Sequence, residues 1–272
     1  MTDAFDLDAY FRRIGYGGPA RPDLATLAAL HARQVDAIPF ESLDPLMGRP
    51  VRLDIASLQA KLVDSRRGGY CFEQNGLFKA ALEAIGFTVA GLGGRVRWMS
   101  PPDAPLGPRS HMLLQVDLPE GPYLADVGFG GHLLDAPLRL EAGPEQTTPT
   151  GRYRLDRDGA LLALKVMTGG DWRCAYVFNL EPQVHADYVA ASWFTSTHPE
   201  VLFTSTLLAE RLTERARCSL VNTRLTETPR GGTPSERLLA SAAEFGAALE
   251  ELFGVTPPAP VDQIFAKLTA GA

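Results

Sequence analysis

Apolar positions recur at helical spacing along the first ninety or so residues. Leu7, Tyr10, Phe11 and Ile14 share one face, Asp6 stands where an N-cap belongs, and Gly15 can stop the helix. Asp23 can cap a second helix through Leu24, Leu27, His31 and Val35, which Pro39 ends. Asp54 can cap a third through Ile55, Leu58 and Leu62. A fourth begins near Cys71, turns Phe78, Leu82 and Ile85 inward, and meets a C-terminal cap at Gly86.

From about residue 87 the period falls to two. Met112, Leu114, Val116 and Leu118 alternate in HMLLQVDL, and YLADVGFG reads as another strand. Asp158-Gly159 separates two strand-like runs, a hairpin signal, and WRCAYVFNL adds a further strand. This middle stretch predicts antiparallel sheet, with a barrel as one way to close it. After Pro182 the pattern mixes. VHADYVAASWFTST predicts helix, RCSLVNTRLTE a strand, and SERLLASAAEFGAALEELFG and PVDQIFAKL two more helices. TPRGGTPSE (228–236) is the plainest loop.

Composition narrows the classes. The 272 residues are long enough to bury a large core. A net charge of −6 and a pI near 5.4 argue against non-specific nucleic-acid binding. No apolar run approaches a membrane span, and the acidic, amphipathic start MTDAFDLDAYFRR does not read as a signal peptide. Three cysteines with no CxxC pair make neither a disulfide framework nor a Cys-rich zinc site, which points to a reducing cytoplasm and no metal.

One cysteine is unusually placed. In RGGYCFEQN (67–75), Cys71 follows two glycines and opens a helix. Helix N-termini and neighbouring imidazolium ions favour the thiolate, which is the nucleophilic form. Gly68 and Gly69 allow a sharp entry to the helix. The plainer alternative is a small buried core residue. A nucleophilic thiol needs a base, and the base needs an orienter. Among five histidines, His111 opens a strand where its side chain can face a cleft, unless it is a satisfied sheet-edge residue. His132 follows a glycine-rich bend that can border a site, His31 suits a structural role, His185 suits the surface, and His198 precedes Pro199 in a turn. Asp126 sits in an apolar strand, where a carboxylate is costly without a partner. Holding an imidazole is one solution, and pairing with Arg95 or Arg97 is another.

FRRIGY (11–16), IPFESL (38–43), RGGYCFEQN, SHMLL (110–114), ADVGFGG (125–131) and TSTHP (195–199) together resemble the arylamine N-acetyltransferase family along most of the chain. The resemblance implies an α+β fold: an N-terminal helical bundle over 1–90, a central antiparallel β-barrel over 91–190 and a C-terminal α/β lid over 191–272. It implies a Cys71, His111, Asp126 triad, the first region carrying the nucleophile and the second the histidine and aspartate. It implies ping-pong transfer from acetyl-CoA, as co-substrate rather than bound cofactor, to aromatic amines or hydrazines. Phe40, Val96, Phe129 and Phe203 become candidates for the amine cleft. Trp98, Gly128, Gly130 and Gly131 become candidates for CoA contacts. Each of these also reads as plain core or tight turn. Ser42 departs from the family's usual IPFEN. The same triad fits a cysteine hydrolase, and the same motifs fit a family amide synthase acting on a carrier-bound acyl chain. A binding module would have no use for the complete set.

Overall fold

The computed structural model describes residues 5–101 and 103–270, so the first four residues of the N-terminal stretch lie outside the description. The chain runs α1 (Leu7–Ile14), α2 (Leu24–Ala37), β1 (Phe40–Glu41), α3 (Leu43–Leu46), α4 (Ile55–Leu58), a π-helical segment Gln59–Asp64, and α5 (Cys71–Ile85). Eight strands follow: β2 (Thr88–Val96), β3 (His111–Leu118), β4 (Gly121–Ala125), β5 (Leu138–Arg139), β6 (Glu145–Thr148), β7 (Gly151–Asp158), β8 (Leu161–Thr168) and β9 (Asp171–Phe178). The last third holds α6 (His185–Thr197), β10 (Leu208–Leu212), β11 (Ala216–Val221), β12 (Arg224–Pro229), β13 (Ser235–Leu238), α7 (Ala242–Glu251) and α8 (Val261–Thr269).

The helix ends follow local chemistry. Asp6, Asp23 and Asp54 each accept an amide of the first turn, from Ala9, Thr26 and Ser57. Gly15 and Gly86 end α1 and α5 in left-handed conformation, at φ 64° and 103°. The third helix departs from its sequence pattern. It is α-helical only to Leu58 and then widens into the π-helical segment, where Ser65 donates to the Ala60 carbonyl five residues back.

The middle strands form one antiparallel sheet in the order β5-β4-β3-β2-β9-β8-β7-β6. Its two edges approach each other. In β6 the Gln146 side chain accepts from the Arg139 amide and donates to the Arg139 carbonyl of β5, doing the work of the absent strand pairing. Strand β3 separates two cores. Met112, Leu114, Val116 and Leu118 pack with the helices, while Leu113 packs inside the curved sheet. Period two thus sends His111, on the Leu113 side, toward the barrel interior.

A second sheet, in the order β1-β10-β11-β12-β13, takes β1 from the helical region. Leu43 and Leu46 join Leu207, Leu220, Phe245 and Phe253 in its core. Two expectations change here. RCSLVNTRLTE is a hairpin, not one strand, because Asn222 adopts φ 53° and turns the chain. SERLLASAAEFG is not helical throughout. Ser235–Leu238 pairs with β12, and the helix starts only after Ser241, whose hydroxyl caps it through the Glu244 amide. YLADVGFG also ends early as a strand: Asp126 lies one residue beyond β4, where the chain leaves the sheet. No helix among the described residues is long and apolar enough to cross a membrane.

Candidate active site

Three elements meet at Cys71. The thiol stands at the first position of α5, 4% exposed, with its sulfur 3.6 Å from the Ser110 carbonyl at the start of β3. His111, the next residue, is 2% exposed, and its Nε2 lies 2.7 Å from an Asp126 carboxylate oxygen. That leaves Nδ1 for the thiol, whose proximity contributes to the charge state of the ring. Phe129 and Tyr176 close over the imidazole at 5.3 Å and 4.8 Å between ring centres.

Asp126 is fully buried and its carboxylate is saturated. One oxygen takes His111. The other accepts from Asn75 Nδ2 at 2.9 Å and from the Gly128 amide at 3.0 Å. Burial opposes ionisation here, but the His111 charge and these donors outweigh it and hold the carboxyl below its usual range. Burial likewise disfavours the His111 cation, yet the Asp126 carboxylate overcomes it and raises the imidazole to about 10. The result is a buried imidazole biased toward its charged form, with one nitrogen fixed by a carboxylate and the ring beside the Cys71 thiol. Such an arrangement can hold a thiolate, protonate a leaving group and later accept a proton. Asp126 is not paired with arginine. Arg95 binds the Gly107 carbonyl, and Arg97 binds the Pro101 and Ala104 carbonyls.

All three polar residues after Phe72 are buried and occupied. Glu73 accepts the Tyr70 amide. Gln74 donates to the Ile38 and Pro39 carbonyls and accepts from Gln34. Asn75 donates to Met112 O and Asp126, and accepts the Val127 amide. Helical periodicity gave no reason to single these out, since polar residues on a helix usually face water; three in succession at a helix start was the available signal. His31, expected to be structural, stands directly behind Asp126 and accepts its backbone N–H at 3.2 Å. Tyr176, which closes over the His111 ring, lies in a strand whose alternating pattern does not set it apart.

The glycines before Cys71 serve close approach rather than unusual φ. A Cβ on Gly68 would lie 2.3 Å from the Pro39 carbonyl oxygen, and one on Gly69 would lie 2.7 Å from Glu73 Oε2. Beyond Asp126 the same holds. A Cβ on Gly128 would meet the Cys71 Cα at 2.8 Å, on Gly130 the Phe40 ring at 2.3 Å, and on Gly131 the Trp98 ring at 2.6 Å. Phe40 is buried, with Phe203 6.0 Å away, and Phe203 stands edge-on to Tyr70. Trp98 packs edge-on to Phe129 at 6.2 Å. Val96, at the end of β2, is exposed. Ser42 accepts the Leu208 amide at 3.0 Å and so fastens the end of β1 to β10.

A cleft of about 800 Å³ opens elsewhere, between Pro45–Asp54 and α6, and Cys71 does not line it. Chemistry rather than volume therefore identifies the candidate site. No group of three or more His, Cys, Asp or Glu among the described residues is placed to hold a metal.

A family model described as N-acetyltransferase matches residues 23–259. An arylamine N-acetyltransferase of Mycolicibacterium smegmatis is 46% identical over 255 residues, covering 93% of this chain and 92% of the relative. One from Escherichia coli is 42% identical over 250 residues, covering 92% and 88%. The structure of a Mycobacterium marinum arylamine N-acetyltransferase in complex with CoA superposes with a TM-score of 0.90 at 42% identity, covering 97% of each chain.

Proposed function

Since the chain belongs to the arylamine N-acetyltransferase family, we infer that it moves an acetyl group from acetyl-CoA to an aromatic amine or hydrazine, by way of an acetyl-cysteine at Cys71. The observation that carries the chemistry is the buried His111–Asp126 pair beside the only cysteine at a helix start.

In the first half-reaction the Cys71 thiolate attacks the thioester carbonyl, a C–S bond forms, and the tetrahedral oxyanion collapses by breaking the bond to CoA sulfur. The His111 imidazolium gives its proton to the departing thiolate. The Cys71 amide, at the first helical position, has no intrahelical acceptor and suits the oxyanion. In the second half-reaction the amine nitrogen attacks the acetyl-cysteine carbonyl, His111 takes the amine proton, and Cys71 leaves as thiolate. Asp126 keeps the imidazole oriented and charge-balanced throughout.

The candidates for the amine cleft are Phe129, which stands against the His111 ring, together with Phe40, Phe203 and Val96. The candidates for contact with CoA are Trp98 and the backbone of Gly128, Gly130 and Gly131. On this reading residues 1–90 carry the nucleophile, 91–190 the histidine and aspartate, and 191–272 a lid. The three free cysteines suit a reducing cytoplasm.

The test is the order of events. Acetyl-CoA alone should release about one equivalent of CoA per site in a burst, as covalent catalysis requires. An arylhydrazine should then accelerate turnover, with parallel initial-rate plots. Intersecting plots, with CoA released only when amine is bound, would replace the acetyl-cysteine with direct transfer.

A further inference from the structure

We propose that Lys61, clasped between Asp44 and Glu73, is a positioning residue for the Cys71 reaction. The proposal rests on Cys71 being the nucleophile. Lys61 belongs to the π-helical segment, and its ammonium lies 2.6 Å from Asp44 Oδ2 and 2.6 Å from Glu73 Oε1. Glu73 divides its carboxylate: Oε1 takes Lys61, and Oε2 takes the Tyr70 amide at 3.1 Å, immediately before Cys71. The Lys61 carbonyl accepts the Arg67 amide, so the same residue grips the start of the loop that delivers the thiol. Arg67 closes the set by binding Glu41 at 2.7 Å and Asp44 at 3.2 Å.

This cluster sits where displacement is least tolerable. The backbone at Cys71 is pressed against Gly128, two residues beyond Asp126, so the thiol and its imidazole partner share little slack. Charge matters as well as distance. Glu41, Asp44 and Glu73 face Arg67 and Lys61 on one side of the thiol, with Arg49 at the rim; His111 and Asp126 face it from the barrel, with His31 behind. Without Lys61, Glu73 loses its cation, while Glu41 and Asp44 remain on the Arg67 guanidinium. Glu73 then either moves toward water or takes up a proton, and in both cases its hold on the Tyr70 amide changes. A hydrophobic brace at this position would stabilise the loop without coupling it to the amide before the nucleophile.

The measurement is the rate of iodoacetamide alkylation of Cys71, read by mass spectrometry, together with the CoA burst rate and the amine KM. Lys61→Met should slow both rates about tenfold or more, since small misplacements of reacting groups are costly, while the amine KM stays within twofold. Lys61→Arg should recover most of the loss. The pair Lys61→Met with Glu73→Gln should also recover it, because Gln still accepts the Tyr70 amide and no lone carboxylate remains. Glu73→Ala, which cuts the link but leaves Lys61 on Asp44, should be as slow as Lys61→Met and serves if that variant does not fold. Wild-type alkylation rates in Lys61→Met or Glu73→Ala, with only the melting temperature lowered, would overturn the proposal. So would a double variant no faster than Lys61→Met. Failure of wild-type Cys71 to alkylate ahead of Cys174 and Cys218 would instead remove the reading of Cys71 beneath it.

Discussion

Asp126 has a histidine on each side, and the two behave oppositely. His111, on the barrel side, is raised to about 10; His31, on the helical side, is lowered to about 4. Both are fully buried, and burial alone lowers both. What separates them is the group each ring meets. His111 faces a carboxylate oxygen, which stabilises a cation. His31 faces the Asp126 backbone N–H, which needs a lone pair and therefore a neutral ring protonated on Nδ1. One aspartate thus meets a charged histidine through its carboxylate and a neutral one through its backbone. Burial decides the neutral ring against the pull of nearby carboxylates, and direct contact with the Asp126 carboxylate overrides burial at the charged one.

Cys71→Ser probes this contrast with the largest effect. Acetyl transfer should be lost while the melting temperature and the opposite states of the two histidines persist, the latter followed by imidazole NMR. Iodoacetamide labelling that continues at neutral pH on Cys174 or Cys218 at the original rate would show that another thiol had been the reactive one.

Asp126→Asn should erase the contrast. His111 loses the carboxylate that offsets burial, so its NMR titration should fall toward that of His31, and kcat should drop by about 10⁴, the loss seen when the aspartate of a serine-protease triad is neutralised. Persistence of a charged His111 at pH 8 in this variant would assign its charge to another group.

Changing the supporting side should cost less. His31→Leu leaves the buried Asp126 amide without an acceptor, a loss of about 1–3 kcal/mol of stability. His31→Gln can still accept that N–H and should retain most activity. Equal stability of the Leu and Gln variants in denaturant titrations would mean that the 3.2 Å contact contributes nothing.

The smallest effect is on stability against pH. A raised His111 stabilises the fold fully below its unfolded value of about 6.5, and that contribution fades as pH rises from there through about 10. A lowered His31 contributes fully above about 6.5, and its share is lost as pH falls toward about 4. The two slopes oppose each other, so His31→Gln should flatten the wild-type loss between pH 6.5 and 4 and leave the alkaline limb unchanged. Identical acid limbs for wild type and variant would show that His31 does not titrate in that window.

Sequence alone determined what short-range chemistry dictates. Asp6, Asp23, Asp54, Gly15 and Gly86 bound their helices because a cap needs only partners within a turn. Asp158-Gly159 bent its hairpin because Gly159 reaches φ 59° without strain. Cys71 and His111 stood out by residue type and position at element ends, Asp126 as a carboxylate within an apolar strand, and all three by resemblance, although they lie up to 55 positions apart. Only the tertiary structure decided the rest. It widened the third helix so that Lys61 lies between two carboxylates, joined β1 to a sheet made 170 positions later, and turned Ser235–Leu238 from a helical pattern into a strand beside β12. It also set the opposite charges of His31 and His111, whose sequence neighbourhoods contain no hint of them. The partners that settle those outcomes are distant in the chain, and a side chain's protonation depends on the atom it faces after folding, not on the residues beside it.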